Sequence, residues 1–105
     1  MAVISISRRE ELDKAIAKGF SFVDFYTVWC GPCKMLAPLL VKVSEIANDI
    51  QFIKVDIDQV PTIASQLNIR SIPTVYLFKD GKPINFFVGY KTEPEILQFI
   101  NENKK

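Results

Sequence analysis

Trp29-Cys30-Gly31-Pro32-Cys33 stands between a run of apolar residues and a long helical pattern, and the rest of the chain is read outward from it. It holds the only two cysteines in 105 residues. Side chains three positions apart on a helix share a face, with Cβ atoms roughly 5–6 Å apart. That is close to disulfide reach, so small adjustments let the two sulfurs bond or separate. Such a pair can hold two electrons reversibly. A zinc site and an inert structural pair are the competing readings. Zinc takes about four ligands, usually Cys or His. With no His in the chain, carboxylates or a second chain would have to complete the set. A structural bridge closing so short a loop would constrain the unfolded chain little. A CxxC dithiol between a strand and a helix favours redox chemistry.

Upstream, Phe22 to Val28 is nearly continuous in apolar residues, the mark of a strand buried on both faces. Downstream, Leu36, Leu39, Leu40, Val43 and Ala47 recur at helical spacing, with Pro38 inside the pattern as an expected kink. Val3 to Ile6 reads as a first strand. Ser7-Arg8-Arg9-Glu10 has capping-box spacing and opens a helix with Leu12, Ala15 and Ile16 inward, which Gly19 is expected to end. Gln51 to Val55 is a further strand. Val60, Ile63, Ala64 and Leu67 give a short helix with Pro61 near its start. Thr74 to Phe78 and Pro83 to Val88 flank Asp80-Gly81, a hairpin signal. Thr92-Glu93-Pro94-Glu95 is a second capping box, followed by Ile96, Leu97 and Ile100. The order βαβαβαββα predicts an α/β fold, a central sheet covered on both faces with its closing hairpin antiparallel.

At this length, residues 1–105 are expected to form a single domain. Apolar residues at 49% and charged residues at 24% suit a globular chain with its own core, which needs no disulfide staple. The net charge is +1 with signs interspersed, so neither nucleic acid nor an acidic disordered tail is implied. Met1 to Ser7 lacks a long apolar stretch before Arg8 and Arg9, so no secretory signal is expected. No apolar run approaches the roughly 18 residues of a membrane span. The expected location is cytoplasmic.

Val23-Asp24-Phe25, Trp29-Cys30-Gly31-Pro32-Cys33-Lys34, Ala37-Pro38, Val55-Asp56-Ile57-Asp58, Ile72-Pro73-Thr74, Phe78-Lys79-Asp80-Gly81 and Val88-Gly89 together resemble the thioredoxin family, in its order and spacing and over nearly the whole length. The resemblance implies the thioredoxin fold, a mixed five-stranded sheet flanked on both faces by four helices. It implies a protein-disulfide reductase and electron carrier, working through a reversible Cys30–Cys33 disulfide without a bound cofactor or metal. Its partners would be disulfide-containing proteins and a separate thioredoxin reductase, a flavoenzyme. The chain has no GxGxxG fingerprint with which to take electrons from NADPH itself. Gly31-Pro32 resembles the reducing members more than the oxidising ones, which usually carry a His there. Tyr26 stands where the family often has a Trp, so packing or fluorescence is expected to differ rather than the chemistry.

Cys30 is expected at the mouth of the long helix, where unpaired N–H groups and the dipole favour a thiolate. It is the expected nucleophile. Cys33, one turn further in and more covered, is the expected resolving thiol. Asp24, in the most apolar strand, should have its pKa raised by desolvation. From the residues alone it is equally an aspartate with a satisfied hydrogen bond. The resemblance makes it the general base for Cys33 and makes Lys54 its modulator, although Lys54 also reads as a plain strand-end lysine. Pro73 is an ordinary first strand residue by position. The resemblance implies a cis Ile72–Pro73 bond packed on the disulfide, and Gly31, Pro32 and Pro73 as active-site support. Trp29, Ile57, Ile72, Val88 and Gly89 complete an apolar, nearly flat substrate rim, each of which could equally be core or turn. Lys34 adds positive field at the thiolate or is a plain surface lysine. The expected state is monomeric. A redox-independent binding module that docks onto a partner enzyme is the rival of another class, and a disulfide-forming oxidant is a third reading.

Overall fold

The computed structural model describes residues 3–105. Met1 and Ala2, which belong to the expected domain 1–105 and to the segment read for a leader, lie outside the described residues. The chain runs β1 (Val3–Ile6), α1 (Arg9–Ala15), β2 (Phe20–Tyr26), α2 (Gly31–Ile46), β3 (Gln51–Asp56), α3 (Pro61–Gln66), β4 (Thr74–Lys79), β5 (Lys82–Val88) and α4 (Glu93–Asn103). The five strands form one sheet in the order β1-β3-β2-β4-β5. β1, β3 and β2 are parallel, and β4 and β5 complete the sheet antiparallel. This is the expected mixed sheet and element order.

Alternation along the strands sorts the core into two layers. Phe22, Phe52, Val75, Leu77 and Phe87 meet Leu36, Leu40 and Val43 of α2 and Ile96, Phe99 and Ile100 of α4. On the other face Val23, Phe25, Ile53, Val55 and Phe78 meet Leu12 and Ile16 around α1 and Ile63 of α3. β2 is buried on both faces as its apolar run implied, but it spans Phe20 to Tyr26. Val28 is outside it and largely exposed, because the chain leaves the sheet after Tyr26 to reach α2. α2 runs through Pro38 on its exposed side.

Two local expectations are corrected. Ser7 does not cap α1. The N-cap is Arg8, which makes no side-chain cap bond, so the helix begins one residue later than the pattern implied. Glu10 pairs with the Arg8 guanidinium at 3.2 Å, while Glu11, now at the third helical position, accepts from the Ser7 amide at 3.4 Å. Gly19 does not end α1 either, since the helix stops at Ala15 with Ile16 as its C-cap. With φ +73°, Gly19 turns the chain into β2 and is pinned to the hairpin. Its N–H donates to Asp80 Oδ1 at 2.7 Å, and its carbonyl accepts from the Asp80 amide at 2.9 Å. Asp80 (φ 51°) and Gly81 (φ 84°) supply the left-handed turn that a tight hairpin needs.

The second capping box forms as read. Thr92 Oγ1 accepts from the Glu95 amide at 3.4 Å and Glu95 Oε1 accepts from the Thr92 amide at 2.9 Å. Replacing Thr92 by Ala is therefore expected to lower stability by about 1 kcal/mol. Ser7→Ala, whose hydroxyl caps nothing, should cost no more than a few tenths. Urea midpoints at unchanged m-value report both.

Candidate active site

β2 ends at Tyr26, and four residues later Cys30 is the N-cap of α2, in extended conformation with Pro32 in the first turn. Cys30 Sγ accepts from the Cys33 amide at 3.2 Å, one of the helix-start N–H groups that have no partner within the helix. No acidic side chain sits in that turn to offset the positive end of the sixteen-residue helix. Cys30 and Cys33 are joined as a disulfide, with Cα atoms 5.3 Å apart. The expected difference in cover is absent. Cys30 is 5% exposed and Cys33 4%, because the bond brings both sulfurs under the same cover and the Ile72 carbonyl oxygen lies 3.8 Å from Cys30 Sγ.

That carbonyl belongs to a cis Ile72–Pro73 peptide at the entry to β4, as the resemblance implied. Pro73 is buried and its carbonyl accepts from the Gly89 amide at 2.8 Å. Gly89 itself has φ +92°. Val88 is paired with Thr74. On the other side of the cysteines the Trp29 indole donates to Asp58 Oδ2 at 3.0 Å, and the Ile57 amide donates to the Tyr26 carbonyl at 3.0 Å. The ends of β2, β3 and β5, the start of β4 and the start of α2 thus converge around the disulfide. Trp29, Gly31, Pro32 and Val88 are exposed there, while Ile57, Ile72 and Gly89 are half-buried. Sequence reading assigned Asp58 no role. Its hold on Trp29 is a contact between separate loops, which no local pattern encodes.

Asp24 is fully buried, on the face of β2 that α2 covers. Neither carboxylate oxygen has a partner among the described residues. Desolvation, opposed in part by the Lys54 charge, leaves its pKa raised to about 7. Lys54 is its register neighbour on β3 and lies 4.5 Å over the Tyr26 ring. An aromatic face is therefore kept where the family often has a Trp. Tyr26, Thr27, Cys33, Lys34 and Lys54 line one open cavity of about 300 Å³. The Thr27 hydroxyl is buried without a partner among the described residues, a feature that a threonine in a loop does not announce. Among the described residues, no three His, Cys, Asp or Glu side chains gather as a metal site.

The family model described as Thioredoxin matches residues 3–102. The chain belongs to the thioredoxin family. The thioredoxin of Chlamydia trachomatis is 37% identical over 102 residues, covering 97% of this chain and all of the relative. A solved mutant thioredoxin from Halobacterium salinarum superposes with a TM-score of 0.91 at 30% identity, over 99% of this chain and 92% of that one. A chain from a structure concerning thiol resolution in yeast mitochondrial 1-Cys peroxiredoxin via glutathione/thioredoxin systems reaches 0.86 at 31% identity, over 95% and 94%. The fold is the thioredoxin fold. This thioredoxin-family chain is a thiol–disulfide oxidoreductase, and Cys30–Cys33 is its redox-active disulfide.

The Asp24 shift fixes a pH dependence. Its folded pKa, about 7, lies above the ordinary 3.8, so the native state binds the extra proton between those values. The contribution is least unfavourable below the unfolded pKa, and stability falls as pH rises through the window toward 7. Asp24→Asn removes the titration. The stability difference between Asp24→Asn and the unaltered chain should move in the variant's favour by up to about 4 kcal/mol from pH 4 to pH 8. Urea unfolding of the oxidised form across that range measures it, and a difference independent of pH would contradict the burial of an ionisable Asp24.

Proposed function

We propose that residues 1–105 form one domain acting as a cytoplasmic, monomeric protein-disulfide reductase and electron carrier, re-reduced by a separate thioredoxin reductase. The observation that carries the reading is the placement of Cys30 as N-cap of α2, with its sulfur on the Cys33 amide at 3.2 Å and the Ile72 carbonyl beside it. A Cys30 thiolate at this position is stabilised by helix-start N–H groups and by the dipole. It attacks one sulfur of a substrate disulfide, forming a mixed disulfide and expelling the first substrate thiolate. Cys33 then gives its proton to Asp24 and attacks Cys30 Sγ. The Cys30–Cys33 bond forms, the second substrate thiolate leaves, and two electrons have passed from the dithiol to the substrate.

Asp24, with its pKa near 7, suits a base acting at neutral pH, and Lys54 tunes it. Gly31, Pro32 and Pro73 shape the approach to the sulfurs. Trp29, Ile57, Ile72, Val88 and Gly89 form the docking rim, where mainly apolar contact and the Ile72 backbone receive an extended substrate segment. Electrons are held in the cysteine pair, so no bound cofactor, metal, membrane or nucleic acid enters the scheme. The Gly31-Pro32 dipeptide favours the reducing direction. The yeast neighbour, from a structure on thiol resolution in a 1-Cys peroxiredoxin, supports disulfides of oxidised peroxiredoxins as one substrate class.

The deciding experiment equilibrates the protein with defined dithiol/disulfide buffers and counts free thiols by mass. A potential well below that of the glutathione pool is expected. One well above it would make the chain an oxidant or isomerase, and the absence of a reversible couple would leave the binding module. Variants separate the two cysteines. Cys30→Ser should abolish disulfide-reducing turnover. Cys33→Ser should accumulate a mixed disulfide with substrate through Cys30, visible by mass and released by dithiothreitol. Turnover retained in Cys30→Ser would refute the mechanism.

A further inference from the structure

Beyond the rim, β4 and β5 carry an aromatic platform that the fold does not cover. Tyr76 and Phe86 face each other in register and stack with ring centroids 5.2 Å apart and planes 18° from parallel. Tyr76 is fixed in place. Its hydroxyl donates to the Leu67 carbonyl at the end of α3 at 3.1 Å, and Phe25 meets its ring edge-on at 6.0 Å. Phe86 and Val88 are each 51% exposed. With Leu67 and Ile69 they line a groove of about 320 Å³, large enough for one aromatic or large aliphatic side chain. Arg70 lies on its lip. Its guanidinium donates to Asn68 Oδ1 at 3.2 Å and has no carboxylate partner among the described residues.

The groove continues from the sulfurs. Ser71 and Thr74, which line it, bracket Ile72 and Pro73, and the Ile72 carbonyl is 3.8 Å from Cys30 Sγ. Val88 belongs to both rim and groove. Ile72 to Tyr76 is four residue steps that run into β4, at most about 13 Å at the rise of an extended chain. An extended substrate segment covers the same distance in about four residues.

We propose that this groove is a second docking subsite for the substrate protein. It receives an aromatic or large aliphatic side chain about four residues from the attacked cysteine, with an adjacent acidic residue on Arg70. The proposal rests on the rim around Cys30 being where substrate docks. It makes the chain selective among disulfides by the sequence next to them, through a rigid aromatic face rather than through the sulfurs.

The test mixes the reduced full-length protein with synthetic peptides. Each has one cysteine in a disulfide with 2-mercaptoethanol, and carries Phe-Asp, Phe-Lys or Ser-Asn four residues away on both sides. The Phe-Asp peptide should be reduced roughly five- to tenfold faster than the Ser-Asn peptide, the worth of one aromatic contact. Phe86→Ser should cut that ratio several-fold, leaving the part carried by the acidic residue on Arg70. Arg70→Glu should reverse the order of the Phe-Asp and Phe-Lys peptides. Equal rates for all peptides on the unaltered chain, or a preference that neither substitution moves, would overturn the subsite while leaving the reductase intact. Reduction of no peptide at all would instead sink the reductase reading and the subsite with it. Self-association lost on Phe86→Ser, with no peptide preference, would assign the groove to a second copy of the chain and overturn the proposal.

Discussion

Strand β2 is the constraint on which the rest depends. It is bonded along both edges, to β3 parallel and to β4 antiparallel, and covered on both faces by helices. A one-residue slip would exchange the two faces and put Val23 and Phe25 where Phe22 and Asp24 now stand, so its register is held by two cores at once. α2 docks over Phe22 through Leu36, Leu40 and Val43, which fixes where that helix begins. The loop from Tyr26 to Cys30 is too short to deliver the first cysteine anywhere but the end of the sheet. The redox pair is thus placed by packing along the one to three turns of α2 that follow it.

The same rigidity makes room for groups that a softer fold would expel. An unpartnered carboxyl in a protein interior either neutralises or draws its surroundings open. Asp24 cannot open its surroundings, since its own strand neighbours are locked on both faces. It stays and titrates near neutrality. Thr27 repeats the pattern on a smaller scale, with a buried hydroxyl lacking a partner among the described residues, in the cavity that Cys33 also lines. Asp24 and Thr27 lie on and just after β2, the strand that leads to the cysteines, which is the pattern expected when a scaffold supports a site.

How much was legible follows from which forces are local. The apolar run before Cys30, the spacing of Leu36, Leu40 and Val43, the Asp80-Gly81 turn and the Thr92–Glu95 box each encode their element within a few residues, and each formed. The Ser7 box failed because the Glu pattern fits two helix starts a residue apart, and Arg8 took the cap. Gly19 reads as a helix end from its neighbours alone because its partner, Asp80, is distant in sequence. The cis peptide at Pro73 came from family resemblance, since an Ile-Pro step looks the same in either isomer. Trp29 on Asp58 and Tyr76 on Phe86 are meetings of separate segments. The Asp24 shift was legible in direction, because desolvation in an apolar strand favours the neutral carboxyl.

The chain has a single tryptophan, and it stands beside Cys30 with its indole tied to Asp58 and most of its surface in solvent. With Tyr26 where a second tryptophan often stands in the family, indole emission from this molecule has one origin, next to the sulfurs. Opening and closing of the disulfide is therefore expected to register in the emission of this one indole. No background indole needs to be subtracted, and no label needs to be placed on the surface that partners touch.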